Sequence, residues 1–514
     1  MINTFCFILL FNIILFPSDF TQINDNHNND SSSQEISWEG FFTKYQFKQI
    51  YIVFAGPYPS SPSSSFGHIF LLLEPQETKP FFLWHAIDFS ANVDSVGSFE
   101  FFVKGFFGGL LGAYRIIPFY ERFRDYNLLE NRALWLFPLD FNNTEKNRFL
   151  YNIYTLQNKD YEYLFSNKNC ASKIDLVLTE SILDPTEKKP NNSLIFFPHS
   201  LLNNWKNRVG DLIYIESMKN VIEESYNDFS INNLNDSLNI NNLSNTEAAL
   251  LLNSLEWKYL QKAEHLQQEE KDILNKLRVI VSSSKTETIT NFTKFEKDFY
   301  LHPSNLIGGG INFLSNSSPE YLVNYRFGLH EFYENTSVYP QNDYLSLLKI
   351  EIGIKKNKMI LNELFLFNQL SLQPISKLSS YMSWRICFGV VRNLEYQSTP
   401  LSYGLYTGLG YTIELLKNRV KLSSLLSVSP VYLQSYGFSL IYGPELIVQI
   451  NVLENIRLMN IIKGLFNFRE NLNDVFYNET NLGIELFNRN YLIFQFKKSM
   501  YSSWYSIKYN FYIN

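Results

Sequence analysis

A chain of 514 residues is too long for one ordinary hydrophobic core, so two or three folded units are expected. With 44 Lys and Arg against 50 Asp and Glu the formal charge is −6, which leaves no basic footprint and argues against nucleic acid as a partner. Aromatic residues reach 17% while charged residues stay at 18%, and that many exposed rings call for a partner phase other than water. Cys6, Cys170 and Cys387 are too few for a disulfide framework.

In chain order, residues 5–16 form an apolar run of signal-peptide length, too short for a membrane span, and residues 1–20 are expected to be a signal peptide with Cys6 inside it. Residues 21–37, rich in Asn, Ser and Asp, predict a disordered spacer, with order from Trp38. Between residues 50 and 140, runs such as Tyr51-Ile-Val-Phe, Ile69-Phe-Leu-Leu-Leu and Phe81-Phe-Leu-Trp alternate with loops rich in Pro, Ser and Gly, which predicts strands. From Thr144 the period turns toward helix. Ile174, Val177, Leu178 and Ile182 recur at three and four, and Asn169 stands where an N-cap would, so Cys170 is expected in the first turn of a helix.

Residues 226–246 predict a flexible loop, and Thr246 to about Ile280 one long amphipathic helix with Leu251, Leu255, Leu266, Ile273 and Leu277 on its apolar side. Residues 226–294 are therefore read as a connector between a domain over 38–225 and a last unit over 295–514. In that unit the period becomes two. Leu348, Ile350, Ile352 and Ile354 alternate with Lys349, Glu351, Gly353 and Lys355 before Lys356-Asn357-Lys358 turns the chain. Met382, Trp384, Ile386, Phe388 and Val390 oppose Ser383, Arg385, Cys387 and Gly389; Tyr505, Ile507, Tyr509, Phe511 and Ile513 oppose Ser506, Lys508, Asn510 and Tyr512. Roughly a dozen such segments, each near the length a tilted spanning strand needs, predict a closed antiparallel outer-membrane β-barrel. A soluble β-sandwich would also alternate. Cys387, on the polar face, reads as an incidental thiol, and His330 as a structural hydrogen-bonding residue.

A thiol is a weak nucleophile until it loses its proton, and a helix N-terminus beside an imidazole stabilises the thiolate. Cys170 has the first from local sequence. His68 opens an apolar strand after a Ser/Pro-rich loop and needs a partner inside the fold. Asp88, on the next strand, could orient the imidazole by accepting its second N–H, whereas His85 would face the other way. Taken singly, a helix-opening Cys also fits a small buried hydrophobe, and His68 a core histidine. Gly105 to Phe119 is apolar and glycine-rich without phosphate-loop spacing; it reads as a tight core turn, or as an apolar lip beside the thiol.

The ordered series Pro62-Ser-Ser-Ser-Phe-Gly-His-Ile-Phe, Ala86-Ile-Asp-Phe, Lys104-Gly-Phe-Phe-Gly-Gly-Leu-Leu-Gly, Leu129-Glu-Asn-Arg with Leu134-Trp, Tyr161-Glu-Tyr and Asn169-Cys resembles the Lnb N-terminal periplasmic domain family over about residues 45–185. The resemblance implies an α+β, circularly permuted papain-like fold in which the His strand precedes the Cys helix, and thiol acyl transfer on bacterial lipoproteins in at least one branch. It implies Cys170 as nucleophile, His68 as base and Asp88 as third member, although family members often carry Asn there. Phe66, Gly67, His85, Lys104, Gly108, Gly109 and Asn169 are the expected substrate-binding positions. Arg326-Phe-Gly-Leu-His-Glu and Leu361-Asn-Glu-Leu-Phe-Leu-Phe-Asn-Gln-Leu-Ser-Leu-Gln-Pro look like a C-terminal barrel domain found in many proteobacterial members, preceded by a helical connector. The N-terminal helical region of those proteins is shortened here to about residues 36–48.

The expected function is an envelope thiol acyltransferase or hydrolase working through a thioester on lipoproteins or lipids. The alternatives are a cell-wall amidase or peptidase, and a non-catalytic outer-membrane barrel. No metal or cofactor is expected. The expected partners are outer-membrane lipid and a lipoprotein or lipid acyl substrate, and the expected location is the cell envelope, with the periplasmic domain anchored by the barrel.

Overall fold

The computed structural model describes residues 37–58, 67–92, 98–182, 196–228, 248, 251–257, 268–283, 303–315, 317–334, 342–376, 381–393, 401–416, 419–467, 474–487 and 490–513. The chain divides into two compact units, Met1–Lys297 and Asp298–Asn514. The expected signal peptide, nearly all of the spacer, Phe66 and most of the loop over 226–246 lie outside the described residues.

The first unit is α+β. Its described elements are α1 (Trp38–Tyr45), β1 (Phe47–Ala55), β2 (His68–Pro75), β3 (His85–Ala91), α2 (Ser98–Phe107), β4 (Leu110–Pro118), α3 (Phe119–Phe123), β5 (Leu134–Leu139), α4 (Asn143–Leu156), β6 (Tyr161–Tyr163), α5 (Cys170–Ser181), α6 (Pro198–Trp205), β7 (Ile213–Ile215), α7 (Met218–Asp228) and α8 (Gln268–Ser283). The strands form one seven-stranded antiparallel sheet in the order β6-β4-β3-β2-β1-β5-β7. β1 and β2 lie at its centre and are covered on both faces, so Ile50–Ala55 and Ile69–Leu73 are apolar at nearly every position instead of alternating. Phe70, Leu72, Val53 and Leu136 join Phe119 and Phe123 of α3 in one core cluster. α5 packs on β2 and β3 and against α4, burying Ile174, Val177 and Leu178.

Three expectations are revised. Phe81-Phe-Leu-Trp, expected as a strand, forms a 3₁₀ turn over Phe81–Leu83 between β2 and β3. Gly105 to Phe119 is no single turn: it runs from the end of α2 through β4, and the chain reverses at Gly108 and Gly109, whose φ of +106° and +107° suit glycine. Where the sequence predicts one helix from Thr246 to about Ile280, Leu251 and Leu252 pack against Leu274 and Leu277, and Arg278 Nη2 meets Glu256 Oε1 at 2.9 Å. In a straight helix, residues so far apart would lie about 30 Å from each other. The connector therefore doubles back, with the same apolar period on both arms. Leu266 lies outside the described residues.

The second unit is a closed twelve-stranded barrel in which each strand pairs with its sequence neighbours and β19 closes on β8. Its strands are β8 (Asn305–Leu314), β9 (Glu320–His330), β10 (Asp343–Lys355), β11 (Lys358–Ser371), β12 (Ser383–Arg392), β13 (Leu401–Leu416), β14 (Val420–Leu433), β15 (Gly437–Leu453), β16 (Ile456–Asn467), β17 (Val475–Phe487), β18 (Asn490–Lys498) and β19 (Ser503–Ile513). Lys356 and Asn357 both take positive φ in the two-residue turn between β10 and β11, the conformation that matches the twist of a hairpin.

The barrel wall sorts its faces as a spanning wall must. Tyr505, Ile507, Tyr509, Phe511 and Ile513 are exposed outside, while Ser506 and Asn510 between them are buried. Inside, Lys349 pairs with Glu331 and Glu363 at 3.1 Å each, Lys508 with Glu351, and Arg385 with Glu445. The turn after β9 enters this lumen. Arg457 Nη1 donates to the carbonyls of Phe332 and Glu334 at 3.2 and 2.8 Å, and Phe332 packs among Tyr344, Leu425 and Ile447.

Candidate functional site

β2 begins at His68. Gly67 before it has φ +80°, and a Cβ there would fall 2.5 Å from the Phe54 ring, so only glycine admits the loop this close to β1. His68 Nε2 stands 2.7 Å from Asp88 Oδ1 on the neighbouring β3. Asp88 is wholly buried, and its Oδ2 accepts from Arg122 Nη2 at 2.7 Å. Arg122 in turn reaches Asp125 with Nη1 at 3.2 Å.

Cys170 is the first residue of α5. Asn169 caps that helix by accepting from the Ser172 N–H at 3.1 Å, while Ser172 Oγ accepts from the Asn169 N–H at 3.0 Å. The Asn169 amide also donates to the carbonyls of Phe165 and Phe196 at 2.9 and 2.7 Å, which pins the helix start to two loops. From α6, Trp205 Nε1 donates to the buried Asp175 at 2.8 Å and fixes the helix further along.

The fold brings these pieces into one line. His68 bonds Asp88, and it lines one cavity with Cys170, near enough for the charge of each to bear on the other. Burial disfavours a charged imidazole, but the Cys170 thiolate and then Asp88 outweigh it and hold the His68 pKa up at about 10. Burial alone would raise the Cys170 thiol; the His68 imidazolium beside it lowers it instead. Burial also opposes the Asp88 charge, yet Arg122 and His68 keep that carboxyl well below the usual carboxylate range. Imidazole and thiol thus each favour the charged form of the other, with the Asp88 carboxylate behind the ring.

A cavity of about 210 Å³ opens onto this line. Gly67 and Asn169 line it with His68 and Cys170, and its walls include Phe101, Phe165 and Phe197. The other expected substrate positions lie elsewhere. His85 packs its ring 5.0 Å from Tyr45, Lys104 pairs with Glu100, and Gly108 and Gly109 form the α2–β4 reversal. Phe66 is outside the described residues. Arg122 has no role in the sequence reading because nothing local marks a charge that meets its partner across the sheet. Glu130, Arg132 and Tyr163 also line the cavity; the sequence shows them only as members of family-like motifs. Among the described residues no three His, Cys, Asp or Glu side chains converge as a metal site requires.

Comparison with known proteins agrees with this division. Residues 24–202 match the model of the Lnb N-terminal periplasmic domain, and residues 302–512 match a domain of unknown function, DUF7840. No curated protein matches the chain. Solved structures similar to the barrel include the KdgM porin (10% identity, 41% of this chain and 99% of that chain, TM-score 0.26) and the NanC porin (10%, 40% and 100%, TM-score 0.27). Omp33, an outer membrane protein of Acinetobacter baumannii, is similar at 8% identity over 41% of this chain and 99% of that chain, with a TM-score of 0.24. Likeness at that level adds nothing to the strand pairing of this chain itself.

A periplasmic domain joined to a closed barrel with an apolar outer face defines a cell-envelope protein anchored in the outer membrane by its barrel. Residues 24–202 of the chain are similar to the Lnb N-terminal periplasmic domain.

Proposed function

We propose that this chain is an envelope thiol acyltransferase or hydrolase that acts on lipoprotein or lipid acyl groups through a thioester on Cys170. The observation that carries the reading is the convergence of the Asp88–His68 pair and of Cys170, at the start of α5, on one cavity with aromatic walls. The Cys170 thiolate attacks the acyl carbonyl carbon, and the N–H groups at the start of α5 face the oxyanion that forms. His68 passes its proton to the departing alkoxide or amine as the carbon–oxygen or carbon–nitrogen bond breaks, leaving the acyl group on sulfur. An amine or water then attacks the thioester, His68 takes the proton it gives up, and the thiolate leaves. Asp88 and Arg122 hold the imidazole in place throughout.

The lipid side of the reading is supported by apolar residues left bare on the first unit. Phe107 is 88% exposed and Leu111 51%, either side of the Gly108–Gly109 reversal, which suits contact with lipid.

The test is acyl transfer in vesicles containing the full chain and a diacylated lipopeptide with a free N-terminal amine, read by mass spectrometry. The expected products are the N-acylated peptide or free fatty acid, lost with Cys170→Ala and kept with Cys387→Ala. Cleavage of muropeptides with no acyl product would replace this reading by the amidase.

A further inference from the structure

Arg132 lines the same cavity as Cys170 and is only 2% exposed. Its Nε lies 2.8 Å from Glu130 Oε2, but Nη1 and Nη2 have no hydrogen-bond partner among the described residues. A guanidinium has five donors in a planar fork, and burying it with its donors idle is costly. Two rings flank it, Tyr126 at 5.1 Å and Tyr58 at 5.4 Å from Cζ, so cation–π contact holds the head in place without using those N–H groups. The same Tyr126 ring lies 5.2 Å from the His68 ring. The guanidinium and the imidazole thus share one aromatic neighbour. Burial raises the pKa of the Glu130 carboxyl, while the Arg132 charge beside it works the other way.

We propose that Arg132 is an oxyanion subsite that holds the phosphodiester of a glycerophospholipid acyl donor while the ester carbonyl of that lipid lies at Cys170. The proposal rests on the acyl-transfer reading and gives it a donor class. A planar fork with two free Nη groups fits two oxygens of a phosphate or carboxylate. In a glycerophospholipid the phosphate is only a few bonds from the ester carbonyl, a separation that one cavity containing both Arg132 and Cys170 accommodates. The phosphate is the handle; the aromatic walls take the acyl chain.

The test uses the full chain in detergent and reads alkylation at the Cys170 peptide by mass spectrometry. Iodoacetate and iodoacetamide differ in one negative charge, so the ratio of their rates within each protein reports the anion subsite, not the intrinsic reactivity of the thiol. The ratio is expected to fall about tenfold in Arg132→Gln and to be largely kept in Arg132→Lys, as loss of one charge-assisted contact implies. sn-Glycero-3-phosphocholine is expected to slow alkylation of the wild-type chain and not of Arg132→Gln, with acetate protecting less well. An unchanged ratio in Arg132→Gln, or equal protection of both proteins, overturns the proposal. Protection by acetate alone overturns the phosphodiester as ligand. Should Arg132→Gln fail to fold, protection of the wild-type thiol by glycerophosphocholine supports the proposal and its absence overturns it. No acyl group is present in these probes, so the result stands whether or not acyl transfer is observed.

Discussion

The charge state of Cys170 is set by its neighbours. His68 lowers the thiol pKa, and the Cys170 thiolate and Asp88 in turn hold the His68 pKa up at about 10. The iodoacetamide rate at Cys170 is therefore expected to show its inflection below that of an ordinary thiol, and His68→Gln is expected to move it upward; coincident pH profiles would contradict the pairing. The sign for Asp88 runs the other way from His68. A carboxyl held below its ordinary value stabilises the fold above that value, near 3.8, and loses the contribution as pH falls through its folded pKa. Asp88→Asn leaves Arg122 with Asp125 as its remaining ion partner and is expected to cost roughly 3–5 kcal/mol by urea unfolding, as breaking a buried pair does. It also takes one of the two stabilising charges from His68, so the His68 pKa should fall. At this scale the sequence points to His68, Asp88 and Cys170 because each sits at a telling place on its own strand or helix. Arg122 is silent there, since its meaning comes from a partner 34 residues away.

At the scale of elements, the start of α5 decides whether the thiol is in register with β2. Asn169→Ala removes the cap to Ser172 and the bonds to the Phe165 and Phe196 carbonyls. The expected loss is about 1–2 kcal/mol in urea unfolding, together with slower Cys170 alkylation at neutral pH. A cap variant with wild-type stability and reactivity would show that the helix is positioned by other contacts. The helix start and the alternating strands were legible because local periodicity and capping chemistry suffice to define them. The connector was not. Its arms carry one continuous apolar period, and only the contact of Leu251 with the Leu274 region distinguishes two helices from one. Trp257 on the first arm donates to Asn131 Oδ1 at 3.0 Å, bracing the loop that presents Glu130 and Arg132, a tertiary contact no local pattern announces.

For the whole molecule, the barrel was the most legible part, because period-two alternation with polar inward residues leaves few other closed solutions. The lumen was not, since which Lys meets which Glu across twelve strands depends on register and closure. Ile507 lies mid-strand on the outer face, and Ile507→Lys is expected to weaken the barrel by about 2–4 kcal/mol in lipid, read as a lowered temperature for loss of heat-modifiable gel mobility. An unchanged transition would contradict a lipid-facing β19.

The central claim concerns a covalent intermediate, and one measurement meets it directly. The full chain is incubated with glycerophospholipid vesicles, quenched in acid and digested, and the Cys170 peptide is weighed. An acyl adduct on Cys170, released by neutral hydroxylamine, is expected in the wild-type chain and in Cys387→Ala. A Cys170 peptide that alkylates normally yet never carries an acyl group with phospholipid or lipopeptide would contradict the thioester.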